Sequence, residues 1–419
     1  MSKNFDIQRL LFVGLLFLVL VGCGAGESEA VPYAPEVIPA TEPTYTPGLA
    51  GEVADEAAAP VIIPDLPLPP CPLEEWMLTL STEEKIGQLL MPRLAWQALE
   101  VTTAFGEWMA RYPVGGIILF GDNVESISQV QRLTADLQGA STGVPLLIAI
   151  DEEGGRVSRV GRLFATAIPA AFDIGRAGDT AAAEQYARET GRRLLSLGIN
   201  MNFAPVADVW SNPANAVIGN RAFGDCPHLA GEMVVATIYG LQAEGVFAVA
   251  KHFPGHGDTY EDSHYLTAFY HHGRERFDAV EALPFRAGIQ AGVDGIMVGH
   301  ISTPLLQSDE PLLDWMAHWL ESGTLPATFS DFWLQTVLRR EMGFDGLIIT
   351  DALDMRALTD HFTPEQIALG AFLAGADILL MPTHPERAFY ALLEAYRDGI
   401  FSTERLQASV RRILALKIE

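Results

Sequence analysis

The chain has 419 residues, 49% of them hydrophobic and 9% aromatic, enough to build a core for one large domain or two ordinary ones, which excludes a mostly disordered polypeptide. A formal charge of -26 argues against nucleic-acid binding, because an acidic surface is repelled by phosphates instead of displacing their counterions. Three cysteines, none with a second at metal-ligand spacing, argue against a structural zinc site.

At the N-terminus Lys3 and Arg9 precede the apolar run Leu10 to Val21, which ends at Gly22-Cys23. Such a run is short for a membrane span and reads as a secretory signal over residues 1–22. The stretch LVGC, Leu20 to Cys23, resembles the bacterial lipobox, which implies cleavage before Cys23, a lipid on that cysteine, and a location in the cell envelope outside the cytoplasm. An ordinary signal peptide or an uncleaved anchor is the plainer alternative. Residues 23–72 follow as a segment rich in proline and acids, with no lysine or arginine from Gly24 to Pro70, and read as an extended tether whose charges repel one another. Export would permit a disulfide between Cys71 and Cys226, but spacing leaves their pairing open.

Order is expected over residues 73–419. Ser81 with Glu84 three positions later forms a capping box, and Ile86, Leu89 and Leu90 then supply one apolar helical face. Short apolar runs next alternate with longer amphipathic ones. The strand candidates are Gly116 to Phe120, Leu146 to Ile150, Asn200 to Pro205, Val246 to Ala250, Gly295 to Val298, Ala327 to Phe329, Leu347 to Thr350 and Ile378 to Met381. Helices are expected over Ala181 to Leu197, Pro227 to Glu244, Phe277 to Ala291 and Pro364 to Leu373. Eight apolar strands separated by helices predict an α/β fold with a parallel sheet, and the count favours a single (β/α)8 TIM-type barrel. An open doubly wound sheet is the competitor; it lacks a G-x-G-x-x-G turn after the first strand.

In such a barrel, functional groups collect where strands end at their C-termini. Asp351 closes the run Leu347 to Thr350, as a carboxylate for the barrel mouth or as an N-cap for the following helix. The loop after Ala250, KHFPGHGDTYEDSH, places Asp262 two residues from His264. A carboxylate there can fix the imidazole tautomer and raise its basicity, which suits proton transfer near neutral pH. Asp151, Arg159, Arg221, Lys251 and His252 have the paired donors and acceptors that a polyhydroxylated ring requires. Surface ion pairs are the bland alternative for the arginines.

The segments IAIDEEGGRVSR, INMNFAPVADV, NAVIGNRAFG, KHFPGHGDTYEDSH and GFDGLIITDALDM, in this order, resemble the bacterial β-N-acetylhexosaminidases of glycoside hydrolase family three from about Leu73 onward. The resemblance implies a barrel catalytic domain with Asp351 as nucleophile, His264 as acid/base and Asp262 as the group orienting that histidine. It assigns Asp151, Arg159, Arg221, Lys251 and His252 to sugar binding, needs no cofactor or metal, and implies terminal N-acetylglucosamine in peptidoglycan fragments as substrate. Glu152 stands where glutamine is usual, Ala352 where aspartate is common, and Thr267 where proline often follows the acid/base loop. A histidine acid/base, neutral toward incoming anions, keeps a phosphorylase open, and a β-glucosidase of the same family is a further alternative. From other classes come a metal-dependent barrel hydrolase, using His252, His256, Asp258 and His264 as ligands, and a noncatalytic glycan-binding lipoprotein.

Overall fold

The computed structural model describes residues 72–418, apart from residues 142, 264, 265 and 309. The signal, Cys23, the tether through Cys71, and His264 lie outside the described residues. Among the described residues ten strands run in chain order: β1 Leu90–Met91, β2 Gly116–Leu119, β3 Leu147–Ile150, β4 Met201–Asn202, β5 Phe247–Phe253, β6 Ala268–Phe269, β7 Gly295–Val298, β8 Ile301–Ser302, β9 Leu347–Thr350 and β10 Leu379–Leu380. Six of them form one parallel sheet in the order β2-β3-β4-β5-β7-β9, while β1 pairs with β10 and β6 with β8. Every residue of β2, β3, β7 and β9 is buried, which explains their continuous apolar runs: helices cover the outer face and the opposite side chains fill the interior.

The expected ring of eight strands is therefore met in part. Regular ladders form a six-stranded sheet, and the β1-β10 pair joins its edges without a ladder, through the isolated bridges Arg93 with Ile118 and Ile349 with Ile378 and scattered hydrogen bonds such as Gly115 N to the Leu90 carbonyl at 3.0 Å. Pro92 follows β1 at once and has no N–H to extend a ladder, although its carbonyl accepts from Ile118 N at 3.1 Å. Beyond β10 the chain turns sharply, with Met381 at φ 50°.

Three local expectations need correction. Ser81 and Glu84 do form a capping box, but the helix ends at Gln88 and Leu90 belongs to β1. Ala327 to Phe329 is a 3-10 turn instead of a strand, with Phe329 N donating to the Pro326 carbonyl at 2.9 Å. All three residues are buried, and a buried apolar run this short has no period to tell the two apart. The helix expected over Phe277 to Ala291 is two, Arg274–Ala279 and Ala282–Gln290. Pro284 explains the break, since it cannot donate backward and its ring would clash with a helical residue four positions earlier.

The remaining helices match their amphipathic patterns: Thr180–Ser196, Pro227–Gln242 and Pro364–Ala374. The first helix, Pro72–Thr79, is tied to the last, Thr403–Ile418, by an ion pair of Glu74 with Arg411. Among the described residues no helix is long and apolar enough to cross a membrane.

Candidate active site

Where the strands end, one cavity of about 540 Å³ is lined by Asp151, Arg159, Arg221, Lys251, His252, Asp262 and Asp351. Every site residue expected from the sequence that falls among the described residues thus meets in one place. The volume lies within the range of about 300–1,000 Å³ usual for small-molecule sites. Cys226 is exposed and stands apart from this cavity.

Its floor is a buried ionic chain. Lys251, at the end of β5 and 2% exposed, places Nζ 2.5 Å from Asp151 Oδ1 and 2.6 Å from Glu153 Oε1. Arg221 grips the same Glu153 with two parallel bonds of 2.8 Å, from Nε to Oε2 and from Nη2 to Oε1. Its Nη2 also lies 3.3 Å from His252 Nε2, and His252 Nδ1 lies 2.6 Å from Asp208 Oδ2. Burial alone would neutralise Glu153, Lys251 and Arg221, yet mutual attraction outweighs it. Glu153 is held far below the usual carboxylate range by Lys251 and Arg221, while Asp151 and Glu153 drive Lys251 upward and Glu153 drives Arg221 upward. Glu153, Lys251 and Arg221 stay charged, and together with Asp151 and His252 they line the cavity.

Two devices hold the rim. Glu152, buried behind the cavity, accepts from Ser158 Oγ at 2.5 Å, Arg159 N at 2.5 Å and Val160 N at 2.9 Å, so it fixes the turn that delivers Arg159. The Arg159 guanidinium lies 5.8 Å from the Phe120 ring centroid, and its Nε is buried without a hydrogen-bond partner among the described residues. On the opposite side, Gly257 lets the acid-rich loop pack directly on the neighbouring backbone. A Cβ there would stand 1.8 Å from the Val209 carbonyl oxygen.

Asp351 follows β9 directly, and its Oδ1 accepts from Ala352 N at 2.7 Å. Buried His300 bridges Thr328 Oγ1, at 2.6 Å, and the Ala352 carbonyl, at 2.9 Å, which fixes the peptide after Ala352, one residue beyond Asp351. The N-cap alternative for Asp351 fails, because the next helix, Arg356–Thr359, has Met355 at its N-cap. His264 is outside the described residues, but Asp262, two positions earlier, lines the same cavity as Asp351.

Among the described residues the ligand set of a metal hydrolase does not converge. His256 places Nδ1 2.6 Å from Thr259 Oγ1 and Nε2 3.0 Å from Ser263 Oγ, and Asp258 is engaged with Ser211 and His272. Burial lowers the His256 pKa to about 4 against the pull of Asp208, so the ring is neutral and structural.

Residues 81–416 match the model of the glycosyl hydrolase family 3 N-terminal domain. The chain belongs to glycosyl hydrolase family 3. Among its relatives, β-hexosaminidase A of Pseudoalteromonas piscicida is 36% identical, the match covering 81% of this chain and 61% of that protein. The β-hexosaminidase of Nitrosospira multiformis is 35% identical over 71% of this chain and 81% of its own length. A family 3 β-N-acetylglucosaminidase structure from Paenibacillus sp. str. FPU-7 superposes with a TM-score of 0.74 at 39% identity, over 81% of this chain and 62% of that one. The chain therefore spans about three fifths of the length of two of these relatives.

Sequence reasoning passed over Glu153, Asp208, Arg93 and His300. Glu153 had a visible signal as the second glutamate of DEEGG, since three successive acids at a strand end must find cations. Asp208 lies in the quoted segment INMNFAPVADV, yet its buried partnership with His252 depends on a fold-level approach that no local pattern announces.

Proposed function

We propose that this family 3 protein is a retaining exo-β-N-acetylglucosaminidase. The observation that carries the reading is the convergence of Asp351 and Asp262 on one cavity whose floor is the Lys251, Asp151, Glu153, Arg221 and His252 chain. Its β-hexosaminidase and β-N-acetylglucosaminidase relatives agree with it. A terminal sugar sits on that floor with its hydroxyls paired to the fixed charges, while Arg159 closes the rim. The Asp351 carboxylate attacks the anomeric carbon as His264, oriented by Asp262, gives a proton to the departing glycosidic oxygen. A covalent glycosyl-Asp351 intermediate results. Water then loses a proton to His264 and displaces Asp351, giving net retention.

A panel of p-nitrophenyl β-glycosides with and without the 2-acetamido group tests the assignment. Preferential release from the N-acetylglucosaminide is expected, and preference for the plain glucoside would move the protein to a β-glucosidase. Repeating the assay in phosphate separates hydrolysis from phosphorolysis, because sugar 1-phosphate as main product would overturn the hydrolase.

Three finer expectations join this proposal. The eight parallel strands β1, β2, β3, β4, β5, β7, β9 and β10 act as one (β/α)8 barrel over residues 73–419, a reading supported by the bridges at Arg93 and Ile349. Residues 1–22 are a signal and 23–72 a tether, lipid-anchored through Cys23 outside the cytoplasm. The natural substrate is a peptidoglycan fragment. Fractionation of the wild type against Cys23→Ala tests the anchor, which predicts loss of membrane association in the variant.

A further inference from the structure

We propose that Trp96 is the platform of an aglycone subsite, stacking on the neutral sugar ring beyond the scissile bond. This rests on the glucosaminidase reading, and names what lies on the far side of the bond being cut. Trp96 is 71% exposed. Single exposed hydrophobic residues are ordinary on protein surfaces, so exposure alone assigns nothing. Three further observations do.

The first is continuity with the cavity. Arg93 and Phe120 both line the cavity that holds Asp351. The Arg93 guanidinium lies 4.7 Å from the Phe120 ring centroid and 5.6 Å from that of Trp96, so cavity wall, cation and exposed indole form one stack. The indole is thus one side chain removed from the wall.

Rigidity is the second. Asn123, fully buried, donates from Nδ2 to the Ala95 carbonyl at 3.0 Å and the Ala98 carbonyl at 3.1 Å, clamping the loop on both sides of Trp96. Asp122 Oδ2 accepts from Gln97 N at 3.0 Å and from Arg93 Nη2 at 3.4 Å. Gln97 itself is held at φ 56°, in the left-handed region that a residue with a Cβ seldom occupies. A loop braced in this way presents its ring already fixed, which removes an ordering cost from binding.

Chemistry supplies the third. A β-linked pyranose with equatorial substituents presents a face of axial C–H bonds, slightly positive, which complements the negative face of an indole. Arg93 is paired with Asp122, so the local charge is already balanced and the contact is one of ring faces and not of charge. The platform selects for a second sugar and not for a small leaving group.

The experiment compares two substrates on the same enzyme preparation, N,N′-diacetylchitobiose and methyl β-N-acetylglucosaminide, so that the folded fraction cancels in the ratio of their kcat/KM values. In Trp96→Ala the ratio of disaccharide to methyl glycoside should fall about tenfold, the loss of a stacking contact of ~1.4 kcal/mol. Trp96→Phe, which keeps a π face, should recover most of it. A ratio unchanged in Trp96→Ala, or an equal fall in the Ala and Phe variants, would overturn the platform while leaving the enzyme's activity intact. Release of N-acetylglucosamine from neither substrate by the wild type would overturn the glucosaminidase reading and the subsite with it.

Discussion

Two buried ionic clusters sit at opposite ends of this fold and differ in what their charges do. Asp377, fully buried just before β10, receives Arg339 Nη2 at 2.5 Å, Ser409 Oγ at 2.5 Å, Ile348 N at 3.0 Å and Arg412 Nη1 at 3.5 Å. It fastens the segment Phe332–Glu341, β9 and the last helix together. Several arginines share that one carboxylate. Burial therefore wins there, lowering the Arg339 pKa to about 10 and shifting Arg405 down as well. At the end of β5 the balance is reversed, because Lys251 and Arg221 meet Asp151, Glu153 and Asp208, and both cations are shifted upward. Buried charge by itself does not mark a functional site. What separates the clusters is that the second stands at the C-terminal strand ends and opens on a cavity.

Paired substitutions would break this contrast if it is wrong. Asp351→Asn should lower kcat by at least about 10³-fold, since the proposed covalent step would lose its nucleophile, with a melting temperature moved by no more than about 2 °C. Asp377→Ala should do the opposite. Removing the carboxylate strands buried arginines at a cost of about 3–5 kcal/mol, read as a lower urea midpoint, while the molecules that remain folded keep the wild-type KM. If Asp377→Ala changed KM instead of stability, the separation of structural from functional clusters would be lost.

The pH dependence of stability sharpens the same contrast at His256. Its folded pKa, about 4, lies below its ordinary value of 6.5 because burial disfavours the charged ring. Unfolding therefore takes up a proton at any pH between those values. The stability at stake is whole above pH 6.5, declines as pH falls, and is gone by about pH 4. The total is about 3 kcal/mol, from 2.5 pH units at about 1.36 kcal/mol each. Urea titrations between pH 7 and 4 should show this slope, and His256→Gln should flatten it.

Much of this was legible in the sequence, and the parts that were not share a cause. Strands β2, β3, β7 and β9 announce themselves because each is a short buried, mostly apolar run followed within two residues by Gly or Asp. β1 does not, since its two residues continue the apolar face of the preceding helix. Likewise Asp351, Lys251 and His252 stand directly at strand ends and could be read from position. Asp208 and His300 act through contacts with residues 44 and 52 positions away, and only the folded chain brings these together. Local pattern reports what each residue can do; the long-range partner decides whether it does it.

Glu152 carries the smallest and most discriminating prediction. Its carboxylate faces away from the cavity and accepts from two backbone N–H groups and one hydroxyl. A glutamine satisfies the same partners, because its amide oxygen can accept from Arg159 N and Val160 N while its nitrogen donates to Ser158 Oγ. Glu152→Gln should thus keep kcat/KM within about threefold, whereas Glu152→Ala orphans three donors at about 1–3 kcal/mol each and should lower kcat/KM about tenfold or more through a displaced Arg159. Should the Gln variant fall as far as the Ala variant, the negative charge at 152 would be acting on the cavity in its own right, and the line drawn between the residues that meet the sugar and those that hold them in place would have to move one position along the chain.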